Sequence, residues 1–342
     1  NFRPMGTCGE NLTWRITPED ELIVEGTGEM TSAPWFDIEE YLYAIKKATI
    51  MEGVTSIADA AFHYCTALVS ISIPESVTSL GYHTFRNCVS LTDVTIPEGV
   101  TTIHEGTFNM CENLQSVTIP NSVTVISDFA FSGCKSLQFI AIPNGVTIVH
   151  HDAFHGCESL KSVTIPDSMI IIGEFAFYKC KSLQSVAIPD SVTSIGACAF
   201  SKCEKLQSAT IPNGIDRIEG GVFAGCESLK TITIPEKVTT IGAEAFSRCK
   251  GLADNKGFVK VRGVLYNYYG TDKDVTVPSD VTAIAPGAFF GLENLQSITI
   301  PNGIISIGRF AFSYCKNLAI HAPKGSYAEQ YAKENKMKFI AE

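Results

Sequence analysis

One proline returns every 23 residues, and that interval constrains the chain more than any other feature. It falls at Pro74, Pro97, Pro120, Pro143, Pro166, Pro189, Pro212 and Pro235. A phenylalanine keeps the same step from Phe62 through Phe85, Phe108, Phe131, Phe154, Phe177, Phe200 and Phe223 to Phe246. Residues 114–137, LQSVTIPNSVTVISDFAFSGCKSL, are a clean copy of the unit. A fixed period of this size marks a solenoid, in which each unit contacts mainly its neighbours. A globular chain of 342 residues would divide into two or three domains, but a repeat array escapes that scaling.

Within the unit, Val117 and Ile119 alternate with polar neighbours, so the segment reads as a strand with one buried face. Proline ends the strand by fixing φ and removing a donor, and an Asn, Asp or Glu beside Ser or Gly then turns the chain. Val123 and Ile126 point inward from a second extended piece. Ala130, Cys134 and Leu137 follow at i, i+4 and i+7, which reads as one face of a short helical turn. The expected fold is therefore α/β: a right-handed solenoid of 23-residue coils with a parallel concave β-sheet and short helical turns. One coil cannot bury enough surface alone, so many copies and two caps are expected.

The array is expected to span residues 45–320. Residues 1–44 do not fit the unit and read as an N-terminal β cap. There, Asn11 to Thr17 and Glu21 to Glu25 alternate like two strands joined by a turn at Pro18 to Asp20. A twenty-residue insertion, about 253–274, interrupts the array. It reads as a β-hairpin turning near Arg262 and Gly263. Residues 321–342 read as a C-terminal cap. Ser326 and Glu329 open a short helix with Tyr327 and Tyr331 on one face, and Lys338 to Ile340 form a final strand.

The formal net charge of −10 argues against a nucleic-acid backbone or an anionic membrane as partner. No stretch reaches the 18 or more apolar residues of a membrane span, so no membrane insertion is expected. The chain opens at Asn1 without an initiator Met, as a processed or trimmed product does. Of the twelve cysteines, ten hold one repeat column, three residues after the phenylalanine; only Cys8 and Cys198 lie outside it. No CxxC pair or zinc-like Cys/His spacing occurs. In-register side chains point the same way, which opposes the torsion of a disulfide, so buried thiols acting as small hydrophobes are expected.

Nucleophile and cofactor motifs are absent, so neither enzyme activity nor a cofactor is expected. The outward strand positions carry Ser116, Thr118, Ser162 and Thr164, flanked by Gln138 and Gln184, a small, nearly uncharged face suited to hydrogen bonding. Ser and Thr also simply suit an exposed strand. Phe139 breaks that uniformity and is the leading contact candidate. Tyr266, Tyr268 and Tyr269 on the hairpin are a second candidate, either as a contact patch or as packing onto the array. No metal is assigned. The weak candidates are His150, His151 and His155, because Asp128, His151 and Glu174 share a column; a solvated corner explains them equally well. Charges after the column cysteine nearly alternate, as at Glu112, Lys135, Glu158 and Lys181, and would pair up the stack to keep register.

The unit L-x-S-V-T-I-P-x-x-V-T-x-I-x-x-x-A-F-x-x-C resembles the BspA-like class of leucine-rich repeats over about residues 45–320. Cys8 to Trp14, Ser32 to Trp35 and Gly325 to Ala332 resemble the flanks of such proteins. The resemblance implies a bacterial secreted or cell-surface protein, placed outside the cell after removal of a signal peptide. Its expected role is non-catalytic binding or adhesion to a macromolecule, protein or glycan. The alternative is a structural spacer with no ligand of its own.

Overall fold

A computed structural model describes residues 4–342; the first three residues of the N-terminal stretch lie outside them. About 14 coils stack at a 23-residue spacing. The coils contribute strands to two parallel ladders, and in the coil after Leu183 the first ladder is reduced to a single bridge between Ser185 and Ser208. In the first, Ser116 stands opposite Asp93 and Thr118 opposite Thr95; farther along, Phe139 stands opposite Ser162 and Ala141 opposite Thr164. In the second, Ile103, Ile126, Val149, Ile172 and Ile195 follow one another in register. Identical sequence steps give identical registers, because a one-residue slip would turn every buried side chain outward. The second extended piece is thus a ladder in its own right. The first ladder forms short paired stretches rather than one continuous sheet.

The core runs through the middle of the stack. Rings from Phe62 to Phe246 are fully buried and lie face to face, with centroids 5.2–5.8 Å apart. Offset aromatic pairs of this kind contribute about 0.5–1.5 kcal/mol beyond their burial. Each column cysteine is a free thiol, and from Cys88 onward each donates to the phenylalanine carbonyl of the preceding coil, as from Cys157 Sγ to Phe131 O at 3.2 Å.

The third side of the coil corrects the expected helical turns. Ala130 N–H donates to Ser127 O, Ser132 N–H to Phe129 O and Cys134 N–H to Phe131 O, all across three residues. These are linked turns, not α-helix. Left-handed residues stand four apart in each coil and break any helix: Phe129 at φ 56° and Gly133 at φ 77°, then Asp152 at 53° and Gly156 at 70°. The turns instead bond along the stack. Phe129, Phe131 and Gly133 N–H groups donate to the carbonyls of His151, Ala153 and His155 at 3.0, 2.8 and 2.7 Å. Ala, Phe and Cys remain inward, as the spacing implied, but tertiary bonds hold them there.

At the N-terminal end, Met5–Gly9, Leu12–Ile16 and Glu21–Gly26 form an antiparallel sheet, and Glu21–Gly26 then pairs in parallel with Lys47–Ile50. Trp35 is fully buried, lies 5.9 Å from Phe62 and donates its indole N–H to Ala61 O at 2.7 Å. It therefore terminates the phenylalanine column. At the other end, Ser326 Oγ caps the helix Tyr327–Glu334 by accepting from Glu329 N–H. That helix buries Ala328, Tyr331 and Ala332, while Tyr327 stays exposed, so the two tyrosines do not share a buried face. Lys338–Ala341 closes the first ladder in parallel with Ala319–Ala322.

The hairpin Phe258–Val261 and Val264–Tyr268 turns at Arg262 and Gly263, whose φ values of 49° and 77° are those of a two-residue I′ turn. Val264 and Leu265 join the second ladder opposite Ala283 and Ile284. Two strands and a turn thus replace a whole coil.

Candidate functional site

Ser116, Thr118, Phe139, Ser162, Thr164 and Gln184 are exposed on the first ladder, and Gln138 is half-buried. Phe139 keeps 60% of its surface exposed. Lys161 Nζ stands 5.9 Å from the Phe139 ring centroid and donates to Gln138 Oε1 at 3.1 Å. Backbone bonds hold this border in place, Lys161 N–H to Gln138 O and Gln184 N–H to Lys161 O. An aromatic plate flanked by an ammonium and amides is therefore fixed on an otherwise small-residue face.

The histidine corner is organised differently from the expected column. Asp152, almost buried, bonds to His151 Nε2 at 2.7 Å and to His155 Nδ1 at 2.5 Å. Asp128 Oδ1 accepts the His151 backbone N–H at 3.0 Å and lies 3.8 Å from His150 Nδ1. Glu174 meets this corner through its carbonyl, which accepts from Asp152 N–H. Two imidazoles thus satisfy a buried carboxylate, and no metal-binding group of three such side chains occurs among the described residues. Burial of Asp152 requires donors, and the adjacent histidines supply them.

The hairpin tyrosines separate. Tyr266 and Tyr268 are 2% and 4% exposed, so neither offers a contact surface. Tyr266 packs edge-on to Phe246 at 5.6 Å, and Tyr268 lies 5.6 Å from Phe289. A bulge decides this. Val259 stands opposite Asn267 but Lys260 opposite Leu265, leaving Tyr266 as the extra residue and turning it to the other side from Tyr268. Only Tyr269 is exposed, and burial of its surroundings pushes its hydroxyl up from the ordinary range.

Beside Tyr269 the structure shows a cleft of about 670 Å³ that the sequence reading did not anticipate. The hairpin fills the core but lacks the A-F-x-x-C turn side of a coil, so the turns at Glu244–Lys250 and Pro286–Phe290 face each other across a gap. The signal available in sequence was the phenylalanine step, which stretches from 23 residues to 43 between Phe246 and Phe289.

The geometry accords with comparisons to known proteins. A model of the BspA type leucine rich repeat region, in six copies, matches residues 39–161, 147–256 and 264–332. The chain belongs to the BspA-type leucine-rich repeat family. A leucine rich cell surface protein from Faecalibacterium prausnitzii is similar at 27% identity over 97% of this chain and 98% of its own, with a TM-score of 0.62. A leucine-rich repeat protein from Eubacterium ventriosum shares the fold at 20% identity, covering 92% of this chain and 95% of its own, with a TM-score of 0.50. The pneumococcal vaccine antigen PcpA does so at 14% identity, covering 99% and 98%, with a TM-score of 0.55. No curated protein matches the chain. The BspA-type chain is thus a relative of bacterial cell-surface leucine-rich repeat proteins. No helix among its described residues is long and apolar enough to cross a membrane.

Proposed function

We propose that this BspA-type repeat protein is a secreted or cell-surface, non-catalytic binding module that engages a macromolecule, most simply a protein, through the first-ladder face around Phe139. The observation carrying this reading is Phe139 itself. It adds nothing to the core, yet it stands 60% exposed where the neighbouring coils carry Ser116 and Ser162. Aromatic residues in such settings commonly anchor interfaces, while Ser116, Thr118, Ser162, Thr164 and Gln184 supply hydrogen bonds around it. The uniformity of the remaining face favours a second reading, a spacer that presents a neighbouring domain. Capture on a panel of immobilised extracellular-matrix proteins and mucin glycans separates them. The binding reading expects one retained ligand, an affinity loss of about tenfold or more in Phe139→Ser, and an unchanged melting temperature. Retention of nothing by the native protein supports the spacer.

A further inference from the structure

The cleft at the insertion has the chemistry of a ligand site, and it lies apart from the Phe139 face. In the intact coils, three turn N–H groups donate to the next coil's carbonyls, as from Phe129, Phe131 and Gly133. At the insertion that ladder fails. Arg248 N–H finds a substitute acceptor, Asn267 Oδ1, at 2.6 Å. The equivalent donors at Glu244 and Phe246 have no acceptor among the described residues. On the opposite wall, the Ala288 carbonyl receives Tyr268 N–H, while those of Pro286 and Phe290 receive no donor. Ser247 Oγ, enclosed at the cleft wall, has no partner either. Ser247 Oγ and the Phe246 N–H belong to enclosed positions, where polar groups are ordinarily satisfied, and the open groups of exposed Glu244, Pro286 and Phe290 stand beside them within reach of a ligand.

The side chains describe its chemistry. Arg248 and Arg309 line the cleft, and neither makes an ion pair among the described residues. Guanidinium groups recognise carboxylates by paired, parallel hydrogen bonds. Tyr269, Phe290 and Phe310 add ring surface, with Phe290 and Phe310 at 56% and 67% exposure. Phe310 also holds φ 58° at a position where the preceding coil has Gly287. That conformation is the one this column keeps in the other coils, as at Phe129 and Phe175, so the turn itself presents the Phe310 ring to the cleft. Glu227 and Glu244 on the same walls accept hydrogen bonds, and Lys250 joins the two arginines, so cations outnumber carboxylates in the lining by one, which suits a ligand with a single acid group and several hydroxyls.

We propose that this cleft binds a sugar bearing a carboxylate. Its acid meets Arg248 and Arg309, its hydroxyls, which both donate and accept, meet the open backbone groups and the glutamates, and a pyranose face lies on the aromatic rings. The cleft's volume falls within the range of small-molecule sites.

Calorimetric titration of the full chain with digalacturonic acid, 3′-sialyllactose, neutral lactose and a glutamate-rich pentapeptide tests this. The expected result is binding of at least one carboxylated sugar, with lactose weaker by about tenfold. Arg309→Gln and Phe310→Ser should each weaken that binding about tenfold at unchanged melting temperature, whereas Phe139→Ser leaves it intact. No heat with either acidic sugar at millimolar concentration, equal affinity for lactose, tighter binding of the peptide, or indifference to both variants overturns the assignment.

Discussion

Cys157 is fully buried, its Sγ meets the Phe131 carbonyl of the coil before it, and burial pushes its thiol up from 9.0 to about 12. The folded state therefore holds a proton that the unfolded chain releases earlier. Because the folded pKa is the higher, this contribution to stability is complete below pH 9 and is lost as the pH rises towards 12. Stability from urea unfolding should thus fall across that window, and Cys157→Ala should flatten the fall; an identical pH slope in the two proteins would contradict the burial argument. The chemistry of this column was legible in the sequence. Regular spacing with no pairing motif marks a packing role, and the structure adds the weak thiol-to-carbonyl bond. Register charges were legible only in part. Lys135 pairs with Glu112 at 2.8 Å and Lys181 with Glu158 at 3.1 Å, giving separate exposed pairs rather than a continuous row. Each such pair contributes little, about 0–1 kcal/mol.

The turn side of the coil is where spacing misled. An i, i+4, i+7 pattern describes which side chains point inward, and linked turns satisfy it as well as a helix does. The distinguishing sign was glycine at Gly133, Gly156, Gly225 and Gly291, all at positive φ in one column. Lys179 holds that column at φ 59° without being glycine. A Cβ on Gly156 would have no atom closer than 3.9 Å, so Gly156→Ala isolates the backbone term. It should cost about 1 kcal/mol in chemical denaturation, and Lys179→Gly should gain a similar amount or at least lose nothing. Equal and unchanged midpoints for both variants would show that the left-handed conformation carries no cost here. The hairpin teaches a related lesson. Its turn at Arg262 and Gly263 was readable, but the bulge that sends Tyr266 and Tyr268 to opposite sides was not, because strand alternation puts residues two apart on one face.

Across the whole molecule, the buried apolar residues form two clusters that meet at the hairpin. Val259, Val261 and Tyr266 join the N-terminal one, and Phe258, Leu265 and Tyr268 the C-terminal one. In an array whose units contact mainly their neighbours, such a seam is the point at which cooperativity can fail. Tyr266→Ala removes the ring that continues the phenylalanine column and should cost about 3–5 kcal/mol. Calorimetry should then resolve two transitions where the native protein gives one, with hydrogen exchange accelerated on one side of residues 258–268 before the other. A single sharper or unshifted transition would show that the ladders alone couple the two parts. The same seam creates the cleft, since the hairpin restores the core but not the turn side.

From the sequence alone came the period, the inward residues, the thiol column and the family, because all of these follow from one unit stacked on copies of itself. The tertiary structure decided what repetition cannot encode. It showed that left-handed turns replace helices, that Trp35 and Tyr331 close the ends of the ring column, and that an aspartate occupies the histidines. It also showed that a missing turn leaves backbone groups and two arginines facing open space. Those outcomes depend on which neighbour each group meets across the stack, and that is a property of the assembled coils rather than of the unit.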